Sequence, residues 1–257
     1  MLKSPSTLTL QPAKPSKQPR LKRIMIIDGF NVMRSSHNLV TGLQCSPYDS
    51  RMNAITLLPM LKRIIKQGFR VRVVFKRLPK PFEILHNYII GALNQMRLIL
   101  YPEKDFLEAD DKMMLEIAQR YGSMIITNDA FRNHEEYKEI ATNNTIKYKK
   151  ERNSKFSLDA LQKGLIFENK IHMLATEDKV YCYPNSRDYR KVKSSHNNFW
   201  PATKNDIKAI DSLCDYVYYS ICFQMGLRIP RSIKFMDDRE NMPHKYVDFC
   251  VRNKIQF

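Results

Sequence analysis

Four short apolar runs set the frame for this chain: Ile24–Asp28 within IMIIDGFN, Arg70–Phe75, Leu98–Tyr101 and Met124–Thr127. Each is too short for a helix, and each is largely continuous rather than alternating. That is the pattern of a strand buried on both faces of a parallel sheet. Stretches of helical periodicity separate them. Asp49 or Ser50 reads as the N-cap of a helix reaching about Gln67, with the stripe Ile55, Leu58, Leu61, Ile64 and Ile65, a kink at Pro59 and a stop at Gly68. Pro81 opens a second helix to about Met96, with Phe82, Leu85, Ile89 and Leu93 on its apolar face. A third begins at Glu108-Ala109-Asp110-Asp111 and runs through Met113, Met114, Ile117 and Ala118 to Gly122. The order β-α-β-α-β-α-β predicts an α/β fold with a parallel sheet and right-handed crossovers.

In such sheets chemistry gathers at the carboxyl ends of the strands. Asp28 ends the first strand, and Gly29 reads as a sharp turn into a loop reaching Tyr48. Asp129 follows the fourth strand, and Asp110 and Asp111 open the helix before it. Each acid has a plainer reading: a turn acid for Asp28 and Asp129, an N-cap for Asp110, a helix-dipole partner for Asp111. The topology nevertheless aims all four at one cleft. Two carboxylates ~5 Å apart repel by ~3 kcal/mol at an effective dielectric near 20, so three or four need a cation or must stay partly protonated. Magnesium suits such a pocket, because it takes oxygen ligands, keeps waters and shares phosphate oxygens.

The formal net charge is +17. It favours a polyanion as partner, nucleic acid first and an anionic membrane surface second. A basic surface around an acidic metal pocket is what phosphodiester cleavage requires. Lys76, Arg77 and Lys80, just past the second strand, read either as phosphate contacts or as a solvated face. Residues 1–23 carry Lys3, Lys14, Lys17, Arg20, Lys22 and Arg23, four prolines and no acid. That composition predicts a disordered basic tail: an RNA-contacting arm, a plain extension, or a presequence that the prolines disfavour. The five cysteines show no metal-ligand spacing and suit a reducing compartment, with Cys214 and Cys222 read as buried thiols. No apolar run approaches the ~20 residues that span a bilayer.

Beyond Asn133 the pattern loosens. Glu135–Ile140 reads as a short helix, and Lys147, Lys149, Lys150, Arg152 and Lys155 as a basic loop. Leu165–Phe167 and Ile171–Leu174 read as a hairpin or edge strands, and Val180–Tyr183 as one more strand. Tyr181, Tyr183, Tyr189, Phe199 and Trp200 interleave with Arg187, Arg190, Lys191 and Lys193, which suits either base stacking or a core beneath a basic surface. A helix over 206–225 has a wide apolar stripe, Ile207, Ile210, Leu213, Val217, Ile221 and Met225. It packs on the sheet or offers a face to a partner. Asp237-Asp238 reads as a cap or turn, and Pro243–Arg252 as a last helix.

Three motifs in order, IIDGFNV, EADDKMMLEIA and IITNDAFRNH, resemble the NYN branch of the PIN-like nuclease superfamily. The likeness is to Regnase-type endoribonucleases and, more distantly, to protein-only RNase P. It covers about Ile24 to Leu174. It implies a PIN-like/NYN three-layer fold, a central parallel sheet flanked by helices, here followed by an α-rich C-terminal extension. It also implies a Mg2+- or Mn2+-dependent endoribonuclease acting on single-stranded or locally unpaired RNA. The family's catalytic, metal-binding acids carry over to Asp28, Asp110, Asp111 and Asp129, and its strand-end amide to Asn31, which would orient a ligand or phosphate. Asn128, Arg132, Asn133 and His134, in the Asn-Asp-x-x-Arg segment, join Lys76 and Arg77 as substrate-binding candidates. One position departs from the pattern: Asn133 stands where the family usually has another acid, which puts a second metal in doubt. It also keeps open an alternative, a catalytically silent NYN module that binds RNA or scaffolds a processing complex. The expected organisation is a tail over 1–23, a nuclease domain over 24–175 and a basic, helical extension over 176–257. The expected partners are single-stranded RNA and a protein or second copy, through the nuclease domain or the 206–225 helix, with no membrane. The expected setting is RNA decay or silencing in the cytoplasm, its granules or the nucleus, before mitochondria.

Overall fold

In the computed structural model, the described residues are 20–36, 51–80, 82–103, 107–150, 171–224 and 228. The elements that place the site are β2 (Met25–Asp28), α1 (Gly29–Ser36), α2 (Leu58–Lys66), β4 (Val71–Val74), α3 (Asn87–Gln95), β6 (Ile99–Leu100), α4 (Ala109–Tyr121), β7 (Met124–Ile126), α5 (Lys138–Asn143), β8 (Thr145–Lys150) and β9 (Ile171–Leu174). Their sheet has the order β6-β4-β2-β7-β8-β9. The first five strands are parallel, and β9 runs antiparallel to β8.

The period of two along each strand explains the three layers. Met25 and Ile27 of β2 join Val71 and Val73 of β4 and Met124 and Ile126 of β7 in the larger core, with α1, α2 and α3. Ile24, Ile26, Val74 and Ile125 face the other way, onto Met114, Leu115 and Ala118 of α4. Asp28 continues the Ile24–Ile26 face, so its side chain falls on the side that α4 covers. The chain grows outward from β2 through β4 to β6, then returns by α4 to β7 on the other flank of β2. The β2/β7 boundary is therefore the switch point, where open α/β sheets form a crevice.

Several local expectations change. Gly29 does not turn into a loop; it opens α1. A Cβ there would lie 2.3 Å from the buried Phe75 ring, so close packing requires the glycine. The helix expected from residue 49 or 50 begins later: β3 (Met52–Asn53) leads to a 3-10 turn over Ala54–Leu57, where Asn53 Oδ1 accepts the Ile55 N–H at 3.0 Å. Pro59 then sits in the first turn of α2, where its missing N–H costs no intrahelical hydrogen bond. Pro81 lies outside the described residues, and the second helix starts only at Asn87. Ile84–Leu85 instead forms β5, parallel to β3, and Phe82 is 69% exposed. Lys147, Lys149 and Lys150 belong to β8 rather than to a loop: Ile146 and Tyr148 alternate inward between them. Arg152, Lys155, Leu165–Phe167, Cys222's side chain, Asp237-Asp238 and Pro243–Arg252 lie outside the described residues.

The tail expected over 1–23 is structured at its end. Leu21–Lys22 forms β1, antiparallel to β10 (Tyr181–Cys182), and Arg23 is buried, paired with Asp188 and donating to the Gly122 carbonyl at 2.9 Å. After α6 (Glu177–Val180) and β10 come α7 (Tyr189–Asn198) and α8 (Lys204–Gln224). α8 opens with a reciprocal capping box between Thr203 and Asp206. It packs on α2 rather than on the sheet: Ile210, Leu213, Cys214 and Val217 join the larger core, and Asp211 bridges Lys62 at 3.0 Å and Lys66 at 2.9 Å. Cys214 is a free, buried thiol pushed up to about 12 by burial, so it is inert. Among the described residues no helix is long and apolar enough to cross a membrane.

Candidate active site

A pocket of about 420 Å³ opens at the carboxyl rim of the sheet, and Asp28, Asp110, Asp111 and Asp129 all line it. Phe30, Asn31, Arg34, Met52, Lys76, Arg77 and Glu83 complete the wall. Asp28 is 6% exposed at the end of β2; its Oδ1 accepts the Asn31 N–H at 3.0 Å and its Oδ2 the Thr127 hydroxyl at 2.7 Å. Thr127 also receives the Asp129 N–H at 3.0 Å, so one hydroxyl couples the ends of β2 and β7. Asp129 is held in turn by the Phe131 N–H on its Oδ1 and by Lys147 on its carbonyl. Asp110 and Asp111 stand in the first turn of α4.

Electrostatics tie the four together. Burial pushes the Asp28 carboxyl up to about 6; hydrogen bonds from Asn31 and Thr127 oppose the shift, and the charges of Asp110 and Asp129 add to it. Burial also raises Asp111, to about 7, reinforced by Asp110, Asp28, Asp129 and Glu108. When nothing neutralises the pocket, Asp111 is therefore about half protonated at pH 7 and Asp28 only about a tenth. Among the described residues no group of three or more histidine, cysteine or acidic side chains is drawn together tightly enough to hold a metal ion. The four aspartates share one pocket, where like charges repel. Hard oxygen donors of excess negative charge, open to solvent, fit a hydrated divalent cation.

The other expected site residues divide. Asn31 lines the pocket, but its carbonyl is engaged by the protein: Oδ1 accepts the Asn128 N–H at 3.0 Å and the Tyr148 hydroxyl at 2.7 Å. Asn128 Oδ1 accepts the Tyr148 N–H at 3.1 Å. The two amides thus stitch β2, β7 and β8 together at the rim. Lys76 and Arg77 line the pocket. The Arg77 guanidinium makes two bonds to Glu83, at 2.8 and 2.5 Å, and holds that carboxyl down to about 2.

Asn128, Arg132, Asn133 and His134 do not line the pocket. Asn133 Nδ2 donates to Glu108 Oε1 at 2.5 Å, and the buried His134 Nε2 stands 3.6 Å from Glu108 Oε2. Glu108 precedes α4 with a left-handed φ of 60°. It ties the helix start that carries Asp110 and Asp111 to the loop that carries Asp129. Sequence reasoning missed Glu108, Thr127 and Tyr148; Glu108, beside the acid pair, was the visible one. The aromatic run is largely structural: Tyr181 packs on Phe69, Phe199 on Tyr121, and Tyr183 donates to Glu177 at 2.8 Å, while Trp200 remains exposed.

A central five-stranded parallel sheet flanked by helices is consistent with the NYN/PIN-like fold. The family model of the Zc3h12a-like Ribonuclease NYN domain matches residues 21–164. That is more than half of the chain, and the protein belongs to this family of ribonucleases, whose substrate is RNA. None of the curated proteins compared with the chain matches it.

Proposed function

We propose that the protein is a Mg2+- or Mn2+-dependent endoribonuclease that cuts single-stranded or locally unpaired RNA, with Asp28, Asp110, Asp111 and Asp129 as the residues that hold the ion. The observation that carries this reading is the convergence of all four acids on one pocket, two of them raised in pKa by burial and by their neighbours. A bound divalent ion would supply an activated water and charge neutralisation at the phosphate. The chain's own residues do the rest. Thr127 and the Asn31 N–H fix the Asp28 carboxylate, and the Asn31–Asn128–Tyr148 stitch keeps the rim rigid. Arg34 and Lys76 on the pocket wall offset the charge of an entering phosphate. The amide at 133, which raised the alternative of a silent scaffold, is engaged by Glu108 and leaves the four-aspartate set whole.

A cytoplasmic setting and a role in RNA decay or silencing belong to the same proposal; the free, buried Cys182 and Cys214 suit a reducing compartment. Incubation of the full chain with an end-labelled unpaired RNA tests the activity. Cleavage that stops with EDTA and returns with Mg2+ or Mn2+ supports the reading. Cleavage indifferent to chelator overturns the metal, and no cleavage under any metal overturns the enzyme.

A further inference from the structure

Among the described residues five large apolar side chains are markedly exposed: Leu78 at 42%, Phe82 at 69%, Tyr101 at 45%, Leu107 at 80% and Trp200 at 76%. Four of the five sit in segments bordering the acidic pocket. Leu78 follows Arg77 and Phe82 precedes Glu83, and both neighbours line the pocket wall. Tyr101 leaves β6 beside the end of β4, where Val74 pairs with Leu100 and the Phe75 N–H donates to the Leu100 carbonyl at 3.0 Å. Lys76 of the pocket wall follows Phe75, just past that neighbouring strand. Leu107 stands three residues before Asp110, at the start of α4. Trp200 is elsewhere. Its neighbour Phe199 packs on Tyr121, at the far end of a helix 13 residues long. At 1.5 Å per residue Tyr121 lies about 16 Å along that helix from Asp110.

We propose that Leu78, Phe82, Tyr101 and Leu107 form a stacking platform for unpaired bases of the RNA strand beside the bond to be cut. The proposal rests on the ribonuclease reading and deepens it by saying what makes a strand a substrate. Phe82 and Tyr101 are exposed rings, and the two leucines add exposed apolar surface in segments next to pocket residues. The charge around them suits a polyanion better than an apolar protein face. Lys80 holds its ammonium 5.8 Å from the centre of the Phe82 ring, and Lys76 and Arg77 line the same pocket as the acids. A base laid on Phe82 therefore has cations next to its own phosphates, and the following phosphate is directed toward the aspartates. In the aromatic run 181–200 Tyr181 and Phe199 are spent on internal packing, which leaves Trp200 as its markedly exposed ring. Stacking also accounts for a preference between RNA forms: in a duplex both faces of each base are covered, and only an unpaired base presents one to a ring.

Binding measured apart from cleavage tests this. The full chain carrying Asp28→Asn is titrated into a single-stranded RNA containing 2-aminopurine, whose fluorescence falls when it stacks. The platform predicts strong quenching, a loss of about fivefold or more in affinity on Phe82→Ala or Tyr101→Ala, and recovery with Phe82→Trp. It also predicts that an abasic residue at the probe position makes the parent and the Phe82→Ala form bind alike, and that duplex RNA binding is unmoved by Phe82→Ala. Both rings are exposed, so melting temperatures stay level and a lost effect is not lost folding. If neither quenching nor affinity changes while the unsubstituted chain still cuts RNA, the platform is wrong and the nuclease reading stands. If Phe82→Ala instead dissociates a dimer in sedimentation, the rim is a contact between copies and the proposal falls. If the unsubstituted chain neither binds nor cuts RNA, both readings fall together.

Discussion

Raising the pH from 6 to 8 is expected to tighten Mn2+ binding to the pocket by about twentyfold. Asp111, held near 7 by burial and four neighbouring acids, is only about a tenth ionised at pH 6 and about nine-tenths at pH 8. Asp28, near 6, goes from about half to fully ionised over the same range. Binding that needs both carboxylates scales with the product of those fractions, which gives the factor of about twenty. At pH 7 the ion displaces somewhat more than half a proton, mostly from Asp111. Calorimetric titration of the full chain with Mn2+, repeated in two buffers of different ionisation enthalpy, reads both the affinity and the released protons. An affinity constant across this range, with no proton released at pH 7, would refute the claim that repelling carboxyls are the ion's ligands. Asp111→Asn offers the internal control: most of the pH dependence disappears with it, because the larger shift belongs to that residue.

Three further outcomes follow from the geometry. Asp111 has a folded pKa above its unfolded value, so its stabilising contribution is complete at acid pH and is lost as the pH rises through about 7. Asp111→Asn is therefore expected to melt higher than the parent at pH 8 without metal, by about 1–2 kcal/mol after allowing for solvent at this part-exposed site, and to lose the advantage at pH 4. Restoring the acid with Asn133→Asp sets a second carboxylate against Glu108, so cleavage is expected to fall; a gain in activity would show that position 133 faces the metal. Gly29→Ala drives a Cβ into the Phe75 ring and is expected to cost about 1–3 kcal/mol in urea unfolding, with activity lost alongside because Asp28 is the adjoining residue.

The strands and the four aspartates were legible because each is a local signal. A β-branched run reads as a buried strand, and an acid just past it lies at the sheet rim whatever the loops do. The tertiary partners were not local. Gly29 looked like a sharp turn because its constraint, Phe75, lies far along the chain, just past the neighbouring strand. Lys147, Lys149 and Lys150 hid β8, since three cations in four residues read as solvated before the inward alternation of Ile146 and Tyr148 is noticed. Leu21–Lys22 looked like the end of a tail, because a two-residue strand has no periodicity and its partner is Tyr181–Cys182. Asn133 read as a weakened ligand; its neighbour Glu108 explains the amide without reference to a metal. Phe82 was placed on a helix face by its spacing, and the structure leaves it on the rim.

The most direct measurement is anomalous diffraction from crystals of the full chain soaked in Mn2+. The account predicts one strong peak in the pocket within coordination distance of oxygens of Asp28, Asp129 and at least one of Asp110 and Asp111, and no such peak in crystals of Asp28→Asn. A manganese site elsewhere, or an empty pocket in crystals of a preparation that cuts RNA only with Mn2+, would contradict it.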